Sequence, residues 1–208
     1  AYDGTDVVTL TGATLSGVIG DDDVTLTNAT SGTTDSQVFG NELPVTTSMA
    51  LSGAAAANYS LVQPSLTVDL TQRTLTLSNF TADNKVYDGN DSVTGDGFDD
   101  DRVGSDELSF TYQVAFDQVD VDTDIPVNYT SIALAAGAHA GFYTLASTTG
   151  ATTADITARP LSILADPATK VYGQDDPELT FQLTSGSLVA TQTFTGALAR
   201  DPGQDVDT

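Results

Sequence analysis

An all-β chain built from tandem units is what this sequence predicts, and three observations carry the prediction. Apolar residues alternate with Thr and Ser over many short stretches. The acidic residues are nearly all of the turn-forming kind. The sequence also repeats itself with a period of 85 residues.

A period of two is the mark of a strand with one face on a core and the other in water. It runs through Ser65-Leu66-Thr67-Val68-Asp69-Leu70, Thr74-Leu75-Thr76-Leu77, Leu108-Ser109-Phe110-Thr111-Tyr112 and Leu179-Thr180-Phe181-Gln182-Leu183. Thr is both β-branched and polar, so it suits the wet face. Of the 29 acidic residues only Glu42, Glu107 and Glu178 are Glu. Asp favours turns and caps where Glu favours helices. Turn signals fall at Ser31-Gly32, Asp88-Gly89-Asn90-Asp91, Gly95-Asp96-Gly97 and Asp201-Pro202-Gly203. Short strands so spaced fit a small β-sandwich of the immunoglobulin kind or a β-grasp-like arrangement, with the units set end to end. The Ala-rich stretches at Ala54–Ala57 and Ala135–Ala140 are long enough only for a turn or a single helical turn.

The repeat is read from ordered anchors. Tyr2-Asp3-Gly4 returns as Tyr87-Asp88-Gly89 and, in related form, as Tyr172-Gly173. Ile19-Gly20-Asp21-Asp22-Asp23-Val24-Thr25-Leu26 aligns with Val103-Gly104-Ser105-Asp106-Glu107-Leu108-Ser109-Phe110. Pro44-Val45 aligns with Pro126-Val127, and Met49-Ala50-Leu51 with Ile132-Ala133-Leu134. Asn58-Tyr59-Ser60-Leu61 aligns with Phe142-Tyr143-Thr144-Leu145, and Asp69-Leu70-Thr71-Gln72-Arg73-Thr74-Leu75 with Asp155-Ile156-Thr157-Ala158-Arg159-Pro160-Leu161. The chain thus divides into repeat 1 (1–72), which lacks the opening strand, repeat 2 (73–158), which is complete, and repeat 3 (159–208), which is truncated. That phase leads us to expect a fragment of a longer array. It also predicts that repeat 1 either has a sheet edge covered by another chain or frays locally. The expected core of repeat 2 is Leu75, Leu77, Val86, Tyr87, Val93, Leu108, Phe110, Val114, Val127, Ile132, Leu134, Tyr143, Leu145 and Ile156.

Composition narrows the function. Six Lys+Arg against 29 Asp+Glu give a formal net charge of -23. Phosphate backbones need cations to replace their counterions, so nucleic acid is excluded as a partner. The absence of Cys removes disulfide scaffolds, thiolate metal sites and thiol catalysis. No run of about 18 apolar residues is present, so no helical membrane insertion is expected.

Lys85-Val86-Tyr87-Asp88-Gly89, with Phe142-Tyr143-Thr144-Leu145 and Asp155-Ile156-Thr157-Ala158-Arg159-Pro160-Leu161, resembles the YDG-type repeat of large bacterial surface proteins. Lys170-Val171-Tyr172-Gly173, with Asp176-Pro177-Glu178-Leu179-Thr180-Phe181 and Ser185-Gly186-Ser187-Leu188, resembles the related MBG repeat. The resemblance implies long secreted adhesins and filamentous-haemagglutinin-like exoproteins, in which such repeats are stalk or adhesive modules of the cell surface or biofilm matrix. It supplies no catalytic residues.

Among candidate sites the Asp runs stand first. Asp120, Asp122 and Asp124 alternate, and are the calcium candidates because calcium takes six to eight oxygen ligands. On an extended strand, however, the three spread over about 13 Å. Asp21-Asp22-Asp23, Asp99-Asp100-Asp101 and the group Asp201, Asp205 and Asp207 are similar, and solvated turns account for all of them. The Tyr-Asp-Gly motif reads as an aromatic anchor beside a tight turn that Gly permits. Lys85 and Lys170 are expected to mark repeat boundaries and to pair with a nearby Asp. His139 is the sole His, with no nucleophile beside it in sequence. Tyr112, Phe116 and Tyr129 are candidates for a glycan-stacking face, and their placement in strands is the simpler expectation. The reading is therefore of a non-enzymatic, secreted structural and adhesive segment that requires no cofactor. Its expected partners are neighbouring repeats and other copies through an open sheet edge. The alternative is a calcium- or glycan-binding module, the glycan coming from host or matrix.

Overall fold

Strands account for nearly all the regular structure in a computed structural model that describes residues 1–35, 37 and 39–203. In chain order they are β1 (Val7–Thr9), β2 (Thr25–Thr27), β3 (Ser31–Thr34), β4 (Gly40–Thr47), β5 (Ala50–Ser52), β6 (Leu66–Leu70), β7 (Arg73–Leu75) and β8 (Leu77–Thr81). They continue as β9 (Lys85–Val86), β10 (Gly97–Asp100), β11 (Phe110–Phe116), β12 (Asp122–Leu134), β13 (Tyr143–Leu145), β14 (Gly150–Thr157), β15 (Ser162–Ala165) and β16 (Phe181–Ser185). The two Ala-rich stretches end in single 3-10 turns at Ala56–Asn58 and Ala140–Phe142. The fold is all-β, as the period of two requires.

The chain forms two compact units, each assembled from separated segments. The first takes Ala1–Asn79, Phe98–Gln113 and Thr130–Thr149; the second takes Phe80–Gly97, Val114–Tyr129 and Gly150–Thr208. The division runs through β8, β10, β11 and β12, whereas the repeat is a division along the sequence.

In the first unit an antiparallel sheet has the order β1-β3-β4-β6, and β2 pairs with β5. β7 lies parallel to β13, with Arg73 opposite Tyr143 and Leu75 opposite Leu145. Leu75 is fully buried and forms a core with Tyr2 and Tyr143. Leu77, Val103, Leu108, Phe110, Leu134, Phe142 and Leu145 pack around it. Burying side chains of this size stabilises by roughly 1.5–3 kcal/mol each.

In the second unit β14 pairs antiparallel with β12 and parallel with β9. Its core is Phe116, Ile125, Val127, Tyr129, Ala154 and Ile156. The expected core differs here in two places. Val86 is 48% exposed. Along β9 the inward position belongs instead to Lys85, whose ammonium reaches Asp88, Asn90 and Ser92 and lies over the Phe116 ring. Phe116, Ile125 and Tyr129 were not expected in the core. A bulge between Asp122 and Ile125 resets the alternation so that Ile125, Val127 and Tyr129 all face inward. The Tyr129 hydroxyl accepts the Gly97 N–H at 2.8 Å and donates to the Thr81 carbonyl. Gly150 is required beside this cluster, because a Cβ there would lie 2.1 Å from the Phe80 ring.

Candidate functional site

The Tyr-Asp-Gly segments form a corner that recurs at each repeat. Gly4, Gly89 and Gly173 have φ of 81°, 78° and 81°, the left-handed region that glycine enters without strain. Asp3 Oδ1 accepts the Thr5 N–H and hydroxyl, both at 2.9 Å, and Asp88 Oδ1 accepts the Asn90 N–H at 3.2 Å. The first corner is tied by Tyr2 N–H to the Thr71 carbonyl, the second by Tyr87 N–H to the Thr157 carbonyl, each at 2.9 Å. The hydrogen bonds from Thr5 hold the Asp3 carboxyl below the usual range, and the Lys85 ammonium does the same for Asp88.

Each corner packs on residues of the repeat that follows it in sequence. A Cβ added to Gly4 would lie 2.8 Å from Val103, and one added to Gly89 would lie 2.7 Å from Val189. Tyr2 is 3% exposed. It stacks on Phe142 at 4.6 Å between ring centres and meets Tyr143 edge-on at 5.6 Å. The Tyr87 hydroxyl accepts a hydrogen bond from Gln192 at 2.8 Å. The third corner differs: a Cβ on Gly173 would meet nothing within 4 Å, and Tyr172 is 70% exposed. The spacing of the motif was legible in the sequence, but its role as a joint between successive repeats was not. Nothing in one sequence says on which repeat a corner rests.

A second tyrosine recurs as a latch within each of the first two repeats. The Tyr143 hydroxyl accepts the Val103 N–H at 2.8 Å and donates to Asp106 Oδ2 at 2.6 Å. The Tyr59 hydroxyl likewise accepts the Ile19 N–H at 3.0 Å and donates to Asp22 Oδ2 at 2.6 Å. Burial, then Asp106, raises the Tyr143 phenol; the bond to Asp22 raises that of Tyr59. Burial and the nearby Asp106 carboxylate push Tyr2 up to about 12. His139 belongs to the same neighbourhood. Its Nδ1 accepts the Glu107 N–H at 3.1 Å, and its Nε2 lies 3.8 Å from Asp106.

The Asp runs serve separate local bonds. Asp120, Asp122 and Asp124 are all exposed. Asp122 Oδ1 accepts the Thr123 N–H at 2.8 Å. Asp124 is the left-handed residue of the β12 bulge, with φ of 52°, and its N–H bonds Asp155 at 2.9 Å. The same device stands in repeat 1, where Glu42, φ 54°, donates its N–H to Asp69 at 2.8 Å. Asp99 accepts from Asn79, Asp100 pairs with Arg102, and Asp101 accepts the Thr76 N–H. Asp23 accepts the Ala54 N–H. Among the described residues no three acidic or His side chains gather in a metal-binding group. Asp205 and Asp207 lie outside the described residues. Of the glycan candidates, Phe116 and Tyr129 are buried and Tyr112 is half-buried in β11.

Corners that seat on the following repeat, and latches that close each repeat, define a chain of all-β modules fastened in series. Comparison with known families agrees. The YDG domain matches residues 1–67 and 71–151, and the MBG domain of YGX type matches residues 161–208. The chain belongs to the YDG domain family. No match was found among curated proteins or among solved structures. No helix among the described residues is long and apolar enough to cross a membrane.

Proposed function

We propose that this chain is a non-catalytic stalk segment of a large secreted bacterial surface protein of the filamentous-haemagglutinin-like kind. Tandem repeats would hold an adhesive part away from the cell or build an extracellular filament. The observation that carries this reading is the recurrent corner, in which Gly4 abuts Val103 and Gly89 abuts Val189. Seating each repeat on the next removes apolar surface from water at every junction and limits rotation there. The charge of -23 keeps so long an array soluble through self-repulsion. On this reading the repeat boundaries at 72/73 and 158/159 mark successive modules. Small-angle X-ray scattering tests it. An elongated particle is expected, and a compact globule of the same mass would contradict it.

A further inference from the structure

Equivalent segments of repeats 1 and 2 have different neighbours. In repeat 2, Tyr143-Thr144-Leu145 forms β13 against β7, and Leu75 of β7 fills a site made by Val103, Leu108, Phe110, Leu134, Tyr143 and Leu145. The aligned residues of repeat 1 are Ile19, Val24, Leu26, Leu51, Tyr59 and Leu61. There, Tyr59-Ser60-Leu61 belongs to no strand. Two adjoining grooves of about 330 and 310 Å³ open beside it and share Thr14, Leu15, Leu61 and Val62. Leu26 lines one groove, Val24, Leu51 and Tyr59 line the other, and Val62 is 86% exposed. The groove therefore stands where Leu75 sits in repeat 2.

Repeat 3 carries the matching piece. Arg159-Pro160-Leu161 aligns with Arg73-Thr74-Leu75. Arg73 reaches the Asp101 carbonyl 28 residues on, and Arg159 reaches the Ser187 carbonyl, also 28 residues on. The segment is thus held as β7 is held, yet it belongs to no strand, and Leu161 is 39% exposed. Pro160 suits the role. Ala146 N–H bonds the Leu75 carbonyl, so the backbones of Leu75 and Arg73 face β13 while that of Thr74 faces away. A proline at the middle position forfeits no ladder bond.

We propose that the repeat-1 groove accepts Arg159–Leu161 of a second copy of this chain as a parallel strand. Arg159 would lie opposite Tyr59 and Leu161 opposite Leu61, with the Leu161 side chain in the groove. The stretch 12–16 carries no strand and yields to admit it. Donor and acceptor are different surfaces, so the contact is head-to-tail and propagates from copy to copy.

Sedimentation at 0.15 M salt, where charge repulsion is screened beyond about 8 Å, tests this with the whole chain. The mean mass of the wild type should rise with concentration. Leu161→Asp, lacking a donor, and Leu61→Asp, lacking an acceptor, should each stay monomeric. Their equimolar mixture should form pairs and go no further. A peptide of residues 157–165 should bind the Leu161→Asp chain and dissociate wild-type assemblies, which decides the matter even if Leu61→Asp folds poorly. A wild type that stays monomeric, variants that associate like it, or a mixture without pairs would overturn the proposal. Peptide binding to a monomeric wild type would overturn the second copy as the source of the strand.

Discussion

Tyr59-Ser60-Leu61 and Tyr143-Thr144-Leu145 are nearly the same sequence in two settings. Both tyrosines close the same latch, to Ile19 and Asp22 in one repeat and to Val103 and Asp106 in the other. Only the second segment is a strand, because only there does an Arg-Thr-Leu segment lie alongside. The comparison teaches that the latch is local to each repeat, whereas the strand is a property of a pair. A segment with intact alternation stays out of the sheet when its partner is elsewhere.

The largest effect should come from removing the partner's anchor. Leu75→Ala empties a fully buried site, and losses of about 2–5 kcal/mol are usual for such truncations. Leu161→Ala, at the aligned exposed position, should stay within about 0.5 kcal/mol in dilute solution. Urea unfolding of both variants compares them directly; equal losses would break the distinction.

Next comes the joint's response to pH. Tyr2 has a folded pKa pushed up to about 12, above its unfolded value. The stability tied to its neutral form is therefore complete below about pH 10 and is lost as pH rises toward 12. A shift of two units corresponds to roughly 2–3 kcal/mol. Alkaline titration of the melting point should show that loss, and Tyr2→Phe should flatten it.

Glycine substitutions sharpen the contrast between seated and unseated corners. Gly4→Ala meets Val103 as well as left-handed strain and should cost about 1–3 kcal/mol. Gly173→Ala meets only the strain and should cost about 1 kcal/mol. Equal losses would mean that the Val103 contact contributes little. The smallest effect expected is that of calcium or EDTA. With Asp120, Asp122 and Asp124 in no common group, the melting point should not move. A rise of several degrees in calcium would reinstate the Asp runs as ligands.

Much of this was legible in the sequence. The period of two gave β6, β7, β11 and β16, and the ordered anchors gave the repeat. What stayed hidden depends on distance and register. The β12 bulge shifts which residues face inward, and it does so through one left-handed backbone at Asp124 that no composition reveals. Val86 looked like core because it is apolar, yet Lys85 took the inward place once Asp88, Asn90 and Ser92 converged on its ammonium. The partner of β13 lies about 70 residues away, so its presence in one repeat and not the other is invisible locally.

Amide hydrogen exchange in dilute solution tests the central contrast most directly. The account predicts strong protection at Thr144–Ala146, where β7 supplies the ladder, and exchange near the unprotected rate at Ser60–Val62. Comparable protection at the two segments would contradict it.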